Sequence, residues 1–467
     1  MTFWTFFSIG EILWVIGFST WLILQRRSPT ATLAWIVVSI WLPILGLVIY
    51  QFLGPPRLRR KKLRYTKARE IIAARRTTRP PVVEDVGRLM RMGERTGEAA
   101  PARARSIELY DNGMDAYAAI EKAVSEASHH VHLEYYIWEA DQTGTRLRDL
   151  LVERAKAGIE VRLLVDALGS PRAKRAFVAP LVAAGVHVAW FNPVTLGALR
   201  LGLVNFRTHR KIVVCDGRVG FTGGINVTDV HTASVAGAEA WRDTHARIEG
   251  AAVQPLQMLF FEDWHFATGE APGQGGYFPA DPGDGDHIVQ VLGSGPDHKH
   301  FPIHKLYFAA IAAADSRVLI TTPYFVPDEP VLTALTTAAL RGVDVRILVP
   351  RKGDSALVSA AARSYFEELL AVGVKIYEYG PPMLHAKTMV IDKELSIVGT
   401  ANLDNRSFRL NFECALAIAG EATAEKLARW YFRDLEKAVR VTARGEKKAP
   451  LRQRTLESVA RLLSAIL

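Results

Sequence analysis

Two short stretches of this chain carry the same chemistry-bearing residues at the same spacing. The first is His209-Arg210-Lys211, then Asp216, then Gly223-Gly224-Ile225-Asn226. The second is His385-Ala386-Lys387, then Asp392, then Gly399-Thr400-Ala401-Asn402. In both, Lys stands two residues after His, Asp seven after it and Asn seventeen after it. Fixing five positions at average residue frequencies gives odds on the order of one in a million per start site. Two copies in one chain are no accident of composition.

The spacing says what such residues can do. Each His–Lys pair opens an apolar run, Ile212-Val213-Val214-Cys215 and Thr388-Met389-Val390-Ile391, which reads as a strand. Residues i and i+2 of a strand share a face, so His and Lys point into one pocket. The odd offset puts Asp216 and Asp392 on the other face or in the following turn, where they organise the site without touching substrate. Asn226 and Asn402 follow a second short strand and a glycine turn that lets backbone come close to a ligand. Two His, two Lys and two Asn suit a phosphodiester. Lys and Asn stabilise the non-bridging oxygens, one imidazole attacks phosphorus, and the other protonates the leaving oxygen. These roles call for no metal and no cofactor, and the spacing does not say which His plays which role.

The elements that must position these residues follow an α/β rhythm. Val131–Trp138 reads as a strand, Arg146–Ala157 as a helix and Gly158–Val165 as a strand, implying a sheet flanked by helices. The pattern then repeats. Leu319–Val326 answers the first strand, and Gly342-Val343-Asp344-Val345-Arg346-Ile347-Leu348-Val349 answers the second almost residue for residue. Residues 267–286, with nine Gly or Pro in twenty, read as a linker. The expectation is two homologous lobes, 106–266 and 287–440, sharing one site, with a tail over 441–467.

Ahead of the lobes lie two apolar segments, 2–24 and 31–53, each long enough to cross about 30 Å of hydrocarbon. They predict a membrane hairpin over 1–54. Glu11 falls mid-span and reads as a protonated carboxyl or as part of a re-entrant helix. No basic residue precedes the first segment and another apolar segment follows at once, which is not the pattern of a cleaved signal peptide. Next comes Arg57-Leu58-Arg59-Arg60-Lys61-Lys62-Leu63-Arg64, six basic residues in eight. It opens a connector, 55–105, with sixteen Lys/Arg against five Asp/Glu, a local excess that exceeds the chain's whole net charge of +10. The positive-inside rule then places the lobes in the cytoplasm of a multi-pass membrane protein, with the belt on anionic lipid. No nucleic-acid partner is expected, because the belt abuts the hairpin and the lobes are close to neutral.

Several classes are excluded. Two cysteines, Cys215 and Cys414, both in apolar runs, make no disulfide framework. Zinc-ligand spacings and a phosphate-binding Gly-x4-Gly-Lys-Ser/Thr loop are absent.

The doubled His-x-Lys-x4-Asp-x6-Gly-Gly/Thr-x-Asn pattern resembles the phospholipase D superfamily. The resemblance implies two lobes, each a mixed β-sheet flanked by helices, with a shared metal-free site. It also implies an acidic residue beyond each motif that braces the imidazole, at the positions of Asp243 and Glu413, and it makes His209 the nucleophile and His385 the acid/base. The runs Tyr135-Tyr136-Ile137-Trp138, Thr321-Thr322-Pro323-Tyr324-Phe325-Val326-Pro327 and Val398–Ser407 are similar to those of bacterial cardiolipin synthases. So are the apolar segments and the tail, where Leu456, Val459, Leu462, Leu463 and Ile466 fall at helical spacing. Such a helix could lie on a membrane or pack on the lobes. The resemblance implies phosphatidyl transfer between two phosphatidylglycerols at the bacterial inner membrane, giving cardiolipin and glycerol through a phosphohistidine. A phospholipase D-type hydrolase, or a transphosphatidylase using other lipids or alcohols, is the alternative. A nuclease and a non-enzymatic scaffold fit the hairpin and the two intact motifs less well.

Overall fold

The computed structural model describes residues 3–25, 29–43, 45–46, 49–50, 87–97, 100–195, 203–271, 276–281, 283, 285–443 and 450–464. The basic run 57–64, much of the connector, parts of the linker and Ile466 lie outside the described residues. The chain divides into two compact units, Met1–Arg59 with Val194–Asn205, and Arg60–Pro193 with Phe206–Leu467.

The smaller unit holds two apolar helices, Phe3–Ile23 and Pro29–Trp41. Phe18, Leu22 and Tyr50 are buried together against Trp21, Trp35 and Ile36. Much of the remaining apolar surface points outward, including Ile12, Leu13, Ile16, Leu33, Val37, Ile40 and Trp41. The second helix is shorter than the apolar segment predicts because Pro43, which has no N–H to donate, interrupts it. Helical bonding resumes with Gly46 N–H on the Leu42 carbonyl. Among the described residues no helix is long and apolar enough to cross a membrane.

The larger unit carries the duplication. Strands are numbered along the chain, from β1 (Ala102–Ala104) and β2 (Ser106–Tyr110) onward. In the first lobe follow β3 (His130–Tyr135), β4 (Glu160–Asp166), β5 (His187–Phe191), β6 (Ile212–Cys215), β7 (Val219–Gly223) and β8 (His245–Glu249). They form a sheet in the order β2-β8-β7-β6-β3-β4-β5, parallel from β3 to β5 and antiparallel elsewhere.

The second lobe repeats this plan. Its strands are β9 (His287–Ser294), β10 (Arg317–Thr321), β12 (Asp344–Pro350), β13 (Lys375–Tyr379), β14 (Thr388–Ile391), β15 (Leu395–Gly399), β17 (Glu413–Ala419) and β18 (Ala438–Arg440). Their order, β9-β17-β15-β14-β10-β12-β13, copies the first sheet strand for strand, with β1 and β18 added at the edges. Short β11 (Phe325–Val326) and β16 (Leu403–Asp404) pair separately. The βαβ units recur for a local reason. Gly158 and Gly342 sit at φ +88° and +92° between helix and strand, where a side chain would be strained. The strands they introduce are buried Val/Leu/Ile runs, as a sheet covered on both faces requires.

Two features depart from the sequence reading. Strand β1, placed in the connector, joins the second lobe's sheet through β9. In the connector, expected to be mobile and partly helical, the helix Arg88–Gly97 is packed: Met90 is buried in the second lobe's core, and Gln290 donates to the Met90 carbonyl at 2.9 Å. The tail helix Leu451–Leu462 packs on that lobe through Ala460, while Leu451, Leu456, Val459 and Leu462 remain exposed.

Candidate active site

Each His–Lys motif sits in an extended segment leading into β6 or β14, and each segment is paired with the other lobe. His209 N–H donates to the Phe412 carbonyl at 2.8 Å, and Phe412 N–H to Arg207 at 2.9 Å. In the mirror arrangement, His385 N–H donates to Arg242 at 2.7 Å and Arg242 N–H to Met383 at 2.9 Å. These two parallel bridges set each His beside the acidic residue that follows the partner segment. His209 Nδ1 lies 3.0 Å from Glu413 Oε2, and His385 Nδ1 lies 2.7 Å from Asp243 Oδ2. The braces are therefore exchanged between lobes. Nδ1–H to the carboxylate is the tautomer this contact selects, leaving Nε2 with the free lone pair.

The lysines complete the cluster. Lys211 Nζ donates to the His209 carbonyl at 2.7 Å. Lys387 Nζ lies 2.9 and 3.1 Å from the two ring nitrogens of His385. Both imidazoles and both ammonium groups are buried. Burial, aided by neighbouring lysines, holds His209 and His385 down to about 4. Burial, then Lys387, brings Lys211 down to about 7, and burial brings Lys387 to about 8. Burial works to raise both braces, but Asp243 is held below the usual carboxylate range by Lys387 and His385, and Glu413 by His209. At neutral pH the site thus presents two neutral imidazoles, two charged carboxylates and two lysines titrating within reach. An incoming phosphodiester brings the negative charge that burial and mutual repulsion leave wanting.

Asn226 and Asn402 are buried, and the Oδ1 atom of each has no hydrogen-bond partner among the described residues. A buried amide oxygen without a partner is an acceptor, so a donor such as a ligand hydroxyl would complete its bonding. Asp216 and Asp392 are elsewhere, in the turns at the far ends of β6 and β14, with φ of +55° and +50°. Asp216 accepts from the N–H groups of Ser128, His129 and His130 at 2.8 to 2.9 Å. Asp392 does the same for Asp315, Ser316 and Arg317 at 2.7 to 3.0 Å. They pin the motif strand to the start of its neighbour and do not join the His–Lys cluster.

Other residues stand at the site to which the sequence assigned no role of their own. The Tyr136 and Trp241 rings lie 5.1 and 5.2 Å from those of His209 and His385. Thr400 Oγ1 donates to Glu413, and Asn411 Nδ2 donates to its other oxygen at 3.2 Å. Gly224, the counterpart of Thr400, has no room for a side chain, since a Cβ there would stand 1.9 Å from Asp243 Oδ1. Arg210, in the variable position of the motif, is buried, pairs with Asp263 and donates to the Glu413 carbonyl at 3.1 Å, helping to fix the partner lobe. Among the described residues, ligand atoms of His231, Asp243 and His385 lie within 4.8 Å of one another. A cation there would compete with the Lys387 ammonium and the Asp243–His385 bond, so the trio does not suit a metal.

Residues 120–264 and 307–435 match the family model described as the phospholipase D-like domain of cardiolipin synthase, and residues 12–55 match the phospholipase D-nuclease N-terminal model. The chain belongs to the cardiolipin synthase family. It is 40% identical over 458 residues to a cardiolipin synthase of Geobacillus sp. strain WCH70, covering 95% of this chain and 90% of that one. It is 35% identical over 484 residues to cardiolipin synthase 1 of Bacillus anthracis, covering 100% of this chain and 95% of that one. Family membership makes the chain an enzyme and gives the two lobes their common ancestry with phospholipase D-like domains. The fold is shared more widely. A crystal structure of phosphatidylserine synthase from Haemophilus influenzae Rd KW20 superposes with a TM-score of 0.61 at 14% identity, covering 82% of this chain and all of that one. Polyphosphate kinase from Porphyromonas gingivalis reaches 0.51 at 13% identity, covering 83% of this chain and 56% of that one.

Proposed function

We propose that the chain makes cardiolipin by transferring a phosphatidyl group from one phosphatidylglycerol to another. The carrying observation is the pair of histidines, each braced by a carboxylate from the opposite lobe, with a buried lysine beside each. His209 Nε2 attacks phosphorus, a P–N bond forms, and the P–O bond to glycerol breaks. His385, protonated at Nε2 from solvent as the phosphodiester arrives, supplies that proton to the leaving glycerol and becomes neutral. His385 then takes the proton from a hydroxyl of the second phosphatidylglycerol, whose oxygen attacks phosphorus and releases His209. One phosphodiester is exchanged for another of similar energy, so no nucleotide enters. Lys211 and Lys387, with Asn226 and Asn402 through their Nδ2 hydrogens, hold the non-bridging oxygens throughout.

The hairpin keeps this site at its substrate. Its outward Ile, Leu, Val and Trp side chains suit lipid, and the basic run after it suits the anionic inner face of a bacterial membrane, with the lobes cytoplasmic. The deciding experiment incubates the purified chain with phosphatidylglycerol alone and follows products by mass spectrometry. Cardiolipin and glycerol in equal amounts are expected; phosphatidic acid as the main product would make the chain a hydrolase.

A further inference from the structure

The two halves of the site are not equal, and the difference lies at a histidine outside both motifs. In the second lobe the N–H of Asn402 is taken by Ser407 Oγ at 3.1 Å. Five residues after Asn226, where the first lobe would have its counterpart, stands His231, whose Nε2 takes the Asn226 N–H at 3.3 Å. With Nε2 accepting, a neutral His231 carries its proton on Nδ1. That nitrogen is buried, has no hydrogen-bond partner among the described residues, and lies 3.9 Å from Asp243 Oδ2. This is the oxygen that His385 Nδ1 approaches at 2.7 Å. The His231 and His385 ring centroids are 5.8 Å apart, and Trp241 stands edge-on to His231 at 5.5 Å. Glu413, by contrast, has Thr400 and Asn411 beside it, neither of which titrates.

We infer that His231 is a positioning residue for His385, sharing Asp243 with it and so setting how tightly His385 holds a proton. The N–H of His231 draws negative charge from the Asp243 carboxylate and weakens its grip on the His385 imidazolium. Among the described residues only this half of the site has such a device, and it is the half assigned to proton transfer. That assignment is the part of the proposal resting on the reading above. The groups facing His231 are Asp243 and His245 from its own lobe, Lys211 from the first motif, and His385 and Lys387 from the second; the helix Gly113–Glu126 contributes Tyr117, whose hydroxyl donates to the Asn226 carbonyl. Burial keeps His231 neutral, down to about 3, so its dipole and not a charge acts on Asp243.

The test is a 15N-histidine NMR titration of the full chain in micelles, beside a pH–rate profile on phosphatidylglycerol. His231→Ser copies the second lobe, keeping an acceptor for Asn226 N–H while losing the N–H that faces Asp243. His231→Phe removes both and fills the space, and His231→Asn returns an N–H donor. In the Ser and Phe variants the His385 titration should rise by roughly one pH unit, and in Asn it should return towards the parent value. An unmoved His385 titration in either folded Ser or Phe variant overturns the inference, whatever happens to the rate. If the titration moves while the rate profile does not, the inference stands and the acid/base role of His385 is what fails.

Discussion

Glu413 Oε2 and His209 Nδ1 are 3.0 Å apart although 204 residues separate them in the chain. The contact exists because Phe412 and Thr208 form a parallel bridge, with His209 N–H on the Phe412 carbonyl at 2.8 Å. Asp243 and His385 repeat it through Arg242 and Leu384. The active site is thus built on two short backbone bridges, and side-chain geometry follows from them.

Glu413→Gln keeps the shape of that brace and removes its charge. The amide cannot stabilise an imidazolium and can select the wrong tautomer, so kcat should fall roughly 10²–10⁴-fold with little change in thermal midpoint. Activity within a few-fold of the parent would show that the brace is structural only.

The pH profile follows from the buried bases. Lys211, down to about 7, and Lys387, down to about 8, hold a phosphodiester only when protonated, so capture is lost as pH rises through that range. His209, down to about 4, attacks only when neutral, so activity is also lost as pH falls through that value. On a nitrophenyl ester, whose leaving group needs no proton from His385, a bell in kcat/KM, which reports the free enzyme, is expected between these limits. A plateau running past pH 9 would sink this account of the lysines.

Asp216→Ala removes the acceptor of three backbone N–H groups and should cost about 2–4 kcal/mol of stability by urea unfolding. The folded remainder should keep its KM, because the turn lies away from the His–Lys cluster. The same holds for Asp392→Ala. A lost activity with an unmoved midpoint would return these residues to the chemistry.

His385→Ala should still be attacked on a substrate whose leaving group needs no proton, such as a nitrophenyl ester. The second half-reaction then stalls for want of a base, so acid-labile, base-stable phosphate should accumulate on His209. Label on His385 in a His209→Ala protein would reverse the order of the two histidines.

Much of this was legible because the duplication made it so. A single His-x-Lys on a strand says little, but Asn402 at the same offset as Asn226, and Gly342–Val349 echoing Gly158–Val165, expose both the lobes and the site. Exchange of the braces was hidden. Asp243 and Glu413 follow their own motifs in sequence, and nothing local says that a strand bridge will carry each to the other histidine. That the helix Arg88–Gly97 packs into the second lobe was hidden by its charge, since few apolar residues of this basic run, Leu89, Met90 and Met92, reach the core. In the hairpin, hydropathy reported an apolar stretch and was blind to the break that Pro43 makes within it.

The exchanged braces also set when, during synthesis, the enzyme comes into being. His209 leaves the ribosome 204 residues ahead of Glu413, and Asp243 waits 142 residues for His385. Through that interval the first lobe can fold on its own core, but its imidazole has no acid partner. A chain released early, or clipped between the lobes with one half lost, holds a histidine with nothing to orient it. Until the chain has reached both His385 and Glu413, it therefore cannot hold its two histidine–carboxylate pairs together.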